Sequence, residues 1–329
     1  MQTAPVQESD GLLNAFLLDQ QGGAKSIGWD VVRAWKPGQE PLWIHLDRKA
    51  PLAQEWLRKE SGLDGVICEA LLADETRPRT QVFGSGCVVI LRGVNLNPGA
   101  APDDMVSVRM WVDENRVISL RSPRLLALQD VREDLTAGTG PKHPAGVVVA
   151  ISIRLVIRMR PVLTNLDEVI DSLEEQLMEE PSSELRQQLA QIRRQAITLR
   201  RYIGPQRDAV NQLGALGFTW MPDNERSQCR ELSDRITRHV EDLDALRERA
   251  AIVQEELASR QAESMNRTMY ILSLVAGIFL PLGLLTGLLG INVGGIPGTD
   301  NPYGFTIVCV LLATLTAVGL WLFRRMRLL

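Results

Sequence analysis

The sequence predicts an α/β (α+β) domain in its N-terminal part, followed by a long stalk helix and two membrane-spanning helices at its C-terminal end. Residues 81–96 and 105–120 are rich in β-branched side chains, which favour strands. Residues 223–280 contain no proline and a single glycine, as expected of one uninterrupted helix. Residues 268–323 contain one charged side chain, Asp300, although 23% of the whole chain is charged. So long a stretch with almost no charge is typical of membrane spans.

The composition excludes several classes of protein. The 329 residues include 36 basic and 40 acidic side chains and carry a net charge of −4, so no strongly basic surface is available to bind nucleic acid. The four cysteines and three histidines are scattered, which predicts reduced thiols in the core and neither a disulfide framework nor a structural zinc site. No glycine-rich phosphate loop, nucleophile elbow or catalytic carboxylate pair is recognisable, so we expect neither an enzyme nor a bound cofactor.

Residues 1–145 alternate between strand-like and helix-like patterns. Apolar residues three and four positions apart predict helices over 51–61 and 63–74. The Asp-Glu-Asn sequence at 113–115 predicts a hairpin turn between two strands. Together these patterns indicate a mixed sheet packed against helices.

Residues 146–222 are predicted to be helical, with an acidic arm followed by a basic arm. The acidic arm, 163–180, carries seven Asp and Glu residues, and Pro181 ends it. Ser183 is predicted to cap the next helix, which carries five arginines between positions 186 and 201. This order predicts an antiparallel hairpin held partly by complementary charge. The alternative is that the acidic arm concentrates cations at the mouth of a pore.

The stalk helix carries a seam of apolar residues. They follow one another at spacings of three and four from Cys229 to Leu257, which is typical of a coiled coil. A single helix from residue 224 to residue 290 would be about 100 Å long. Because a lone helix of that length cannot bury its own seam, the seam predicts association with other chains.

Two apolar runs, 269–290 and 305–323, would be about 33 and 28 Å long as helices, which matches the hydrocarbon core of a bilayer. Arg267 precedes the first run and three arginines follow the second, whereas the loop between them, 291–304, contains no Lys or Arg. The positive-inside rule therefore predicts that both termini are cytoplasmic and that the loop is outside.

These patterns divide the chain into six predicted segments. They are a cytoplasmic α/β domain (1–145), a helical hairpin region (146–222), the stalk helix continuing into the first membrane helix (223–290), a periplasmic loop (291–304), the second membrane helix (305–323) and a basic cytoplasmic tail (324–329).

One face of the first span is formed by residues three or four positions apart and becomes small towards the loop. Small residues at Gly-x-x-x-Gly spacing permit close packing of helices. In a ring of subunits, the same face would instead line an ion path, with an apolar constriction and exposed backbone carbonyls. The face consists of Met269, Leu272, Ala276, Leu280, Gly283 and Gly287.

The first span ends in Gly290-Ile291-Asn292, followed by Val-Gly-Gly-Ile-Pro-Gly. A Gly-x-Asn tripeptide at this place resembles the signature of the CorA superfamily of divalent-cation transporters. The resemblance covers most of the chain and is greatest to the zinc-transporting ZntB branch of that superfamily. The stretch Arg-Arg-Tyr-Ile-Gly-Pro-Gln-Arg-Asp at 200–208 also resembles that branch.

The resemblance implies a funnel-shaped homopentamer of the bacterial inner membrane, in which the first span lines a central pore and the second faces lipid. It implies that Gly290 and Asn292 form an outer selectivity ring. Five Asn amides and the neighbouring carbonyls would there present oxygen dipoles to a hydrated divalent cation. The ring can select the ion without removing its water, which divalent cations release reluctantly.

Charged residues flank the two predicted spans. Asp300, in the outer loop, either attracts cations to the pore entrance or is a turn residue. Arg324, Arg325 and Arg327 form a basic collar on the cytoplasmic side, which sets the orientation of the chain; a role in gating is the alternative.

Ile291 bears on which ion is transported. The magnesium transporters of the superfamily carry Met between the Gly and the Asn, so Ile291 favours Zn²⁺. Zinc prefers nitrogen and sulfur ligands, and Cys309, on the second span, is predicted to face lipid. A ring for hydrated ions selects modestly, so Co²⁺, Ni²⁺, Cd²⁺ and Mg²⁺ are further candidates.

Two alternatives to a zinc transporter remain at this point. The first is a Mg²⁺ or Co²⁺ channel of the same fold, and the second is a membrane-anchored coiled-coil scaffold that transports nothing. Proton coupling is a further hypothesis. Because residues 268–323 contain no His, Glu, Lys or Arg, protons would move with the hydrated ion or bind outside the spans.

Overall fold

The computed structural model describes residues 10–179, 183–291 and 301–325. They fall into two compact units that divide between Gln254 and Glu255.

A seven-stranded sheet forms the centre of the first unit. Its order is β2-β1-β3-β7-β6-β5-β4, and every pair of neighbours is antiparallel except β3 and β7, which are parallel. The strands are β1 (Leu12–Leu18), β2 (Ala24–Ser26), β3 (Leu42–Asp47), β4 (Arg79–Phe83), β5 (Gly86–Gly93), β6 (Val106–Val112) and β7 (Arg116–Arg121). The mixed sheet predicted from the sequence is confirmed.

One face of the sheet packs against short helices. These are α1 (Trp29–Ala34), α2 (Pro51–Lys59) and α3 (Gly65–Leu72). Alternate residues of β3, such as Ile44 and Leu46, point into this core, where they meet Leu57 and Leu71 of α2 and α3. Both helices predicted in this region are therefore present, with ends a few residues inside the predicted ones.

The opposite face of the sheet packs against α4 (Leu126–Thr136) and α5 (Pro144–Glu179). His45 lies on this face and is 3% exposed. The Arg121 guanidinium donates to its Nε2 over 3.1 Å, so its Nδ1 carries the proton and donates to the Ser119 hydroxyl over 2.9 Å. Burial, aided by the charge of Arg121, lowers the pKa of His45 to about 3.

Two hairpins form the β4–β7 half of the sheet. The turn between β6 and β7 lies at the predicted place, where the Asp113 carboxylate accepts the N–H groups of Asn115 and Arg116 over 2.9 and 3.0 Å. The strand-like stretch 81–96 is in fact a second hairpin, because β4 and β5 pair across a tight turn that contains Gly84 at a positive φ of 57°.

The helix α5 begins at Pro144, well before the acidic arm at 163–180. Its N-terminal half is apolar on most sides, since it is buried between the sheet and α4. The helical region predicted from residue 146 agrees with this start to within two residues. Pro161 lies inside the helix and deprives the Ile157 carbonyl of its helical donor. Ile157 is 48% exposed, so water can satisfy that carbonyl.

The helix α6 (Ser183–Ala215) docks on the β4–β5 edge through the 200–208 stretch singled out in the sequence. The buried Gln206 side chain accepts the Arg92 N–H of β5 over 2.7 Å. The Arg92 guanidinium lies 4.1 Å from the centre of the Tyr202 ring, a cation–π contact. These contacts give the stretch a structural role in the first unit.

The long helix predicted from Asp223 is present as α7 (Asp223–Leu289), with 67 residues. Ion pairs join it to α5 and α6 within the first unit: Arg249 binds Asp171 and Glu174, and Arg200 binds Asp244. Every residue of the apolar seam, from Cys229 to Leu257, is buried within the single chain. The inference that the seam requires other chains to bury it is therefore wrong.

Three acids of the acidic arm of α5 pair with one arginine of α7. The Arg249 guanidinium lies 2.8 Å from Asp167, 2.5 Å from Asp171 and 2.8 Å from Glu174. The hydrogen bonds that the Arg249 guanidinium donates to Glu174 and Asp171 raise its pKa above the usual range. For these three acids the salt-bridged interpretation is confirmed, although the partner is on α7 rather than on the basic arm.

The second unit contains the rest of α7 and the helix α8 (Gly304–Arg325). Both helices are long and apolar enough to cross a membrane. The six-segment division predicted from the sequence remains a prediction.

Candidate functional site

The two apolar helices of the second unit touch along one stripe. On α7 the half-buried residues recur at intervals of three and four, and on α8 a matching stripe includes Val308 and Phe323. A Cβ built on Gly277 would lie 3.0 Å from Cζ of Phe323, so this glycine permits the two helices to approach closely. The stripe on α7 consists of Leu274, Ile278, Leu282 and Leu285.

The face of α7 singled out in the sequence lies on the other side of the helix. At 100° per residue its centre is about 170° around the axis from the stripe that contacts α8. Leu272 and Leu280 are 70% and 71% exposed, and Met269 is 53% exposed. The three small residues of the face, Ala276, Gly283 and Gly287, are exposed as well.

The two glycines of this face do not pack against α8. Among the described residues, no atom of another residue lies within 4 Å of a Cβ built on Gly283 or Gly287, apart from the backbone of α7 itself. Within one chain, the glycine that lies against α8 is Gly277. The sequence analysis did not predict this contact. The Gly283 and Gly287 surface is therefore open to another copy of the chain or to a pore.

The helix α7 ends at Leu289, one residue before the predicted end. The Gly290 N–H donates to the Thr286 carbonyl over 2.9 Å, and a Cβ at Gly290 would lie 3.0 Å from that same oxygen. Ile291 is 47% exposed. Asn292, Asp300 and Arg327 lie outside the described residues.

The C-terminal end of α8 carries two of the predicted basic residues. Arg324 and Arg325 are exposed in the last turn, where cations interact favourably with the helix dipole. The Arg325 guanidinium lies 5.4 Å from the centre of the Trp321 ring. Trp and Arg together are typical of the end of a membrane span at the lipid headgroups.

The remaining potential metal ligands do not gather into a site. No group of three or more His, Cys, Asp or Glu side chains is placed to hold a metal ion within residues 10–179, 183–291 and 301–325. Cys87 and Cys229 are buried, and burial raises the pKa of each to about 12, so both are thiols rather than metal-binding thiolates. Cys309 of α8 is exposed, and that it faces lipid remains a prediction.

Residue 265 belongs to the same face of α7, although the sequence analysis began the face at Met269. Met265 lies one helical turn earlier and is 62% exposed. The four-residue spacing between the two methionines was the signal that could have identified it.

Comparison with known proteins identifies the family. The model of the family described as "CorA-like Mg2+ transporter protein" matches residues 38–325. The chain belongs to this CorA-like family. The superfamily resemblance drawn from the Gly-x-Asn motif and its position is thus confirmed.

Two relatives with known names match nearly the whole chain. The divalent cation transporter CmaX of Pseudomonas aeruginosa is 42% identical over 330 residues, which cover 99% of each chain. The zinc transport protein ZntB of Pectobacterium carotovorum is 37% identical over 319 residues, which cover 97% of this chain and 96% of the relative.

Solved structures agree with the CorA-like assignment. The structure of full-length CmaX superposes with a TM-score of 0.87 and covers 98% of this chain and 100% of its own. The complete CorA magnesium transporter from Methanocaldococcus jannaschii superposes with a TM-score of 0.80 at 17% identity and covers 95% and 97% of the two chains. The second match shows a shared fold: an α/β domain, a long helix and two apolar C-terminal helices.

Proposed function

We propose that this chain is a divalent-cation transporter of the bacterial inner membrane that conducts Zn²⁺ through a central pore in a homopentamer. The observation that carries the proposal is the exposed face of α7, called the open face from here on, which consists of Met269, Leu272, Ala276, Leu280, Gly283 and Gly287. Met269, Leu272 and Leu280 are each more than half exposed and lie opposite the stripe that contacts α8. In a ring with α8 on the outside, this face would point to the axis.

The chemistry of the open face suits a pore for hydrated ions. Its inner part is apolar and would form a constriction, whereas Gly283 and Gly287 expose backbone near the outer end. Gly290, Ile291 and Asn292 then form the proposed selectivity ring, with the Asn292 amide contacting the hydration shell of the ion. Asp300 would raise the cation concentration at the entrance.

The proposed orientation has both termini in the cytoplasm. Arg324, Arg325 and Arg327 would form a basic collar at the cytoplasmic headgroups, and the contact of Arg325 with Trp321 supports that depth for the end of α8. The acidic arm of α5 contributes less to cation attraction than its number of carboxylates suggests, since Arg249 of the stalk already binds three of them.

Zinc is proposed because relatives named ZntB cover almost the whole chain and because Ile291 replaces the Met of the magnesium transporters. The specific observation in favour of Mg²⁺ is the description of the matching family model as Mg²⁺ transporters. A Mg²⁺ or Co²⁺ channel is therefore the second candidate. A scaffold without transport has lost its main argument, because the seam that suggested it is largely buried within one chain.

The test is the uptake of ⁶⁵Zn²⁺ by liposomes that contain the purified full-length protein. We expect Asn292→Ala to reduce the initial rate at least about tenfold, because the variant lacks the amide oxygen of the selectivity ring. Asn301→Ala is the matched control, since Asn301 lies in the same loop and its side chain accepts only the Tyr303 N–H among the described contacts.

Three outcomes would change the assignment. Equal uptake by Asn292→Ala and the wild type would reject the selectivity ring. Uptake of Mg²⁺ without Zn²⁺ would favour the magnesium candidate, and no uptake of any divalent ion would reject transport. An imposed pH gradient tests proton coupling in the same vesicles, because uptake that does not respond to the gradient is uncoupled.

A further inference from the structure

Two methionines of α7 differ in their exposure from the other four methionines whose burial is described. Met105, Met110, Met159 and Met221 are core residues and are at most 5% exposed. In contrast, Met265 is 62% exposed and Met269 is 53% exposed. Methionine normally fills gaps in a core, so two exposed copies next to each other require another explanation.

The two exposed thioethers lie on the same face of α7. Residues four positions apart on a helix have Cβ atoms about 6 Å apart, so the flexible side chains of Met265 and Met269 can bring their sulfur atoms together. Both residues precede Leu272 on the open face that lies opposite α8. They therefore mark the inner end of the proposed ion path.

Sulfur at this position has a chemical consequence. Thioethers are soft ligands that favour Zn²⁺ and other soft or borderline metals, whereas Mg²⁺ prefers carboxylate, carbonyl and water oxygens. Among the described residues no cluster of His, Cys, Asp or Glu is placed to bind a metal. Within residues 268–291 and 301–323 no charged side chain offers an oxygen ligand either.

We propose that Met265 and Met269 form a soft-metal site at the inner end of the open face, which favours Cd²⁺ and Zn²⁺ over Mg²⁺. This inference rests on the proposed function, because it places the site on the same ion path. Two thioethers bind weakly, so the site delays a passing ion without trapping it. Selection by sulfur here would act in addition to selection of the hydrated ion at Asn292.

The test replaces sulfur without changing size or hydrophobicity. In the double variant Met265→Leu and Met269→Leu, an apolar constriction is preserved but the soft ligands are lost. We expect the ratio of Cd²⁺ uptake to Mg²⁺ uptake in liposomes to fall about threefold or more. Equilibrium dialysis of the full-length protein against ¹⁰⁹Cd²⁺ should show a matching loss of bound metal.

Two single variants serve as matched controls. Leu272→Met adds a thioether to the open face and should raise the Cd²⁺ to Mg²⁺ ratio. Leu274→Met adds the same group to the side that contacts α8 and should leave the ratio at the wild-type value.

The outcomes separate this inference from the proposed function. If the wild type transports Cd²⁺ or Zn²⁺ and the double variant has the same ratio and the same bound metal, the soft site is rejected and transport stands. If the wild type transports nothing but binds more ¹⁰⁹Cd²⁺ than the double variant, the soft site stands and transport is rejected. Equal binding without transport rejects both.

Discussion

At the scale of single residues, His45 combines full burial with a complete set of hydrogen bonds. Arg121 donates to its Nε2, and its Nδ1 donates to Ser119, which also accepts from the Trp43 indole over 2.9 Å and donates to the Ile44 carbonyl. This arrangement requires a neutral imidazole, since a second proton would face the Arg121 guanidinium. The network therefore ties the protonation of one side chain to the stability of the first unit.

The first prediction concerns the acid stability of the protein. The pKa of His45 is about 3 in the folded chain but near 6.5 when unfolded, so between these values the unfolded state binds a proton that the folded state does not. The free energy of unfolding should therefore fall as the pH falls through this window, by at most about 1.4 kcal/mol per pH unit from this group.

His45→Gln should make that pH dependence shallower, because glutamine does not titrate. The measurement is the midpoint of thermal unfolding of the detergent-solubilised protein at several values between pH 6.5 and pH 4. The variant is expected to be less stable overall, and this offset does not affect the slope. An unchanged slope would contradict the assignment of His45 as a neutral buried group.

At the scale of elements, the two sides of α7 in the membrane have different neighbours, and glycine substitutions separate them. Gly277→Leu should lower the midpoint of thermal unfolding, because its side chain would overlap the Phe323 ring. Gly283→Leu should leave that midpoint nearly unchanged, since no described atom outside the backbone of α7 lies within 4 Å of a Cβ at this position, but it should reduce Zn²⁺ uptake by narrowing the proposed pore. The reverse pattern would show that the open face has been assigned to the wrong side.

The sequence predicted where the helices lie better than it predicted which helices pack against each other. The uncharged stretch before Phe323 and the absence of proline from residues 223–280 predicted α7 and α8, because these features depend on local composition. Spacing predicted which residues share the open face, but not which side of α7 contacts α8. The seam of α7 likewise had no identifiable partner until α5 and α6 were in place. The start of α5 at Pro144 lies within two residues of the predicted start of the helical region, because Pro144 itself marks the boundary.

At the scale of the whole molecule, the prediction is the number of copies in the assembly. Of the two features that could indicate association of several chains, only the open face of α7 remains, because the chain itself buries the apolar seam from Cys229 to Leu257. Native mass spectrometry of the full-length protein in detergent should give five times the mass of one chain. A monomer would contradict the pore, because one α7 cannot enclose an ion path.

The chain carries no charged side chain in the described residues between Arg267 and Arg324, and this has an electrical consequence. A membrane voltage does work only on charge that moves through it, so none of these described side chains would respond to it directly. The voltage would act on the transported ion. A potential of 100 mV, negative inside, favours inward movement of each divalent ion by about 4.6 kcal/mol. If the chain conducts ions through the proposed pore, an energised membrane would therefore drive their uptake.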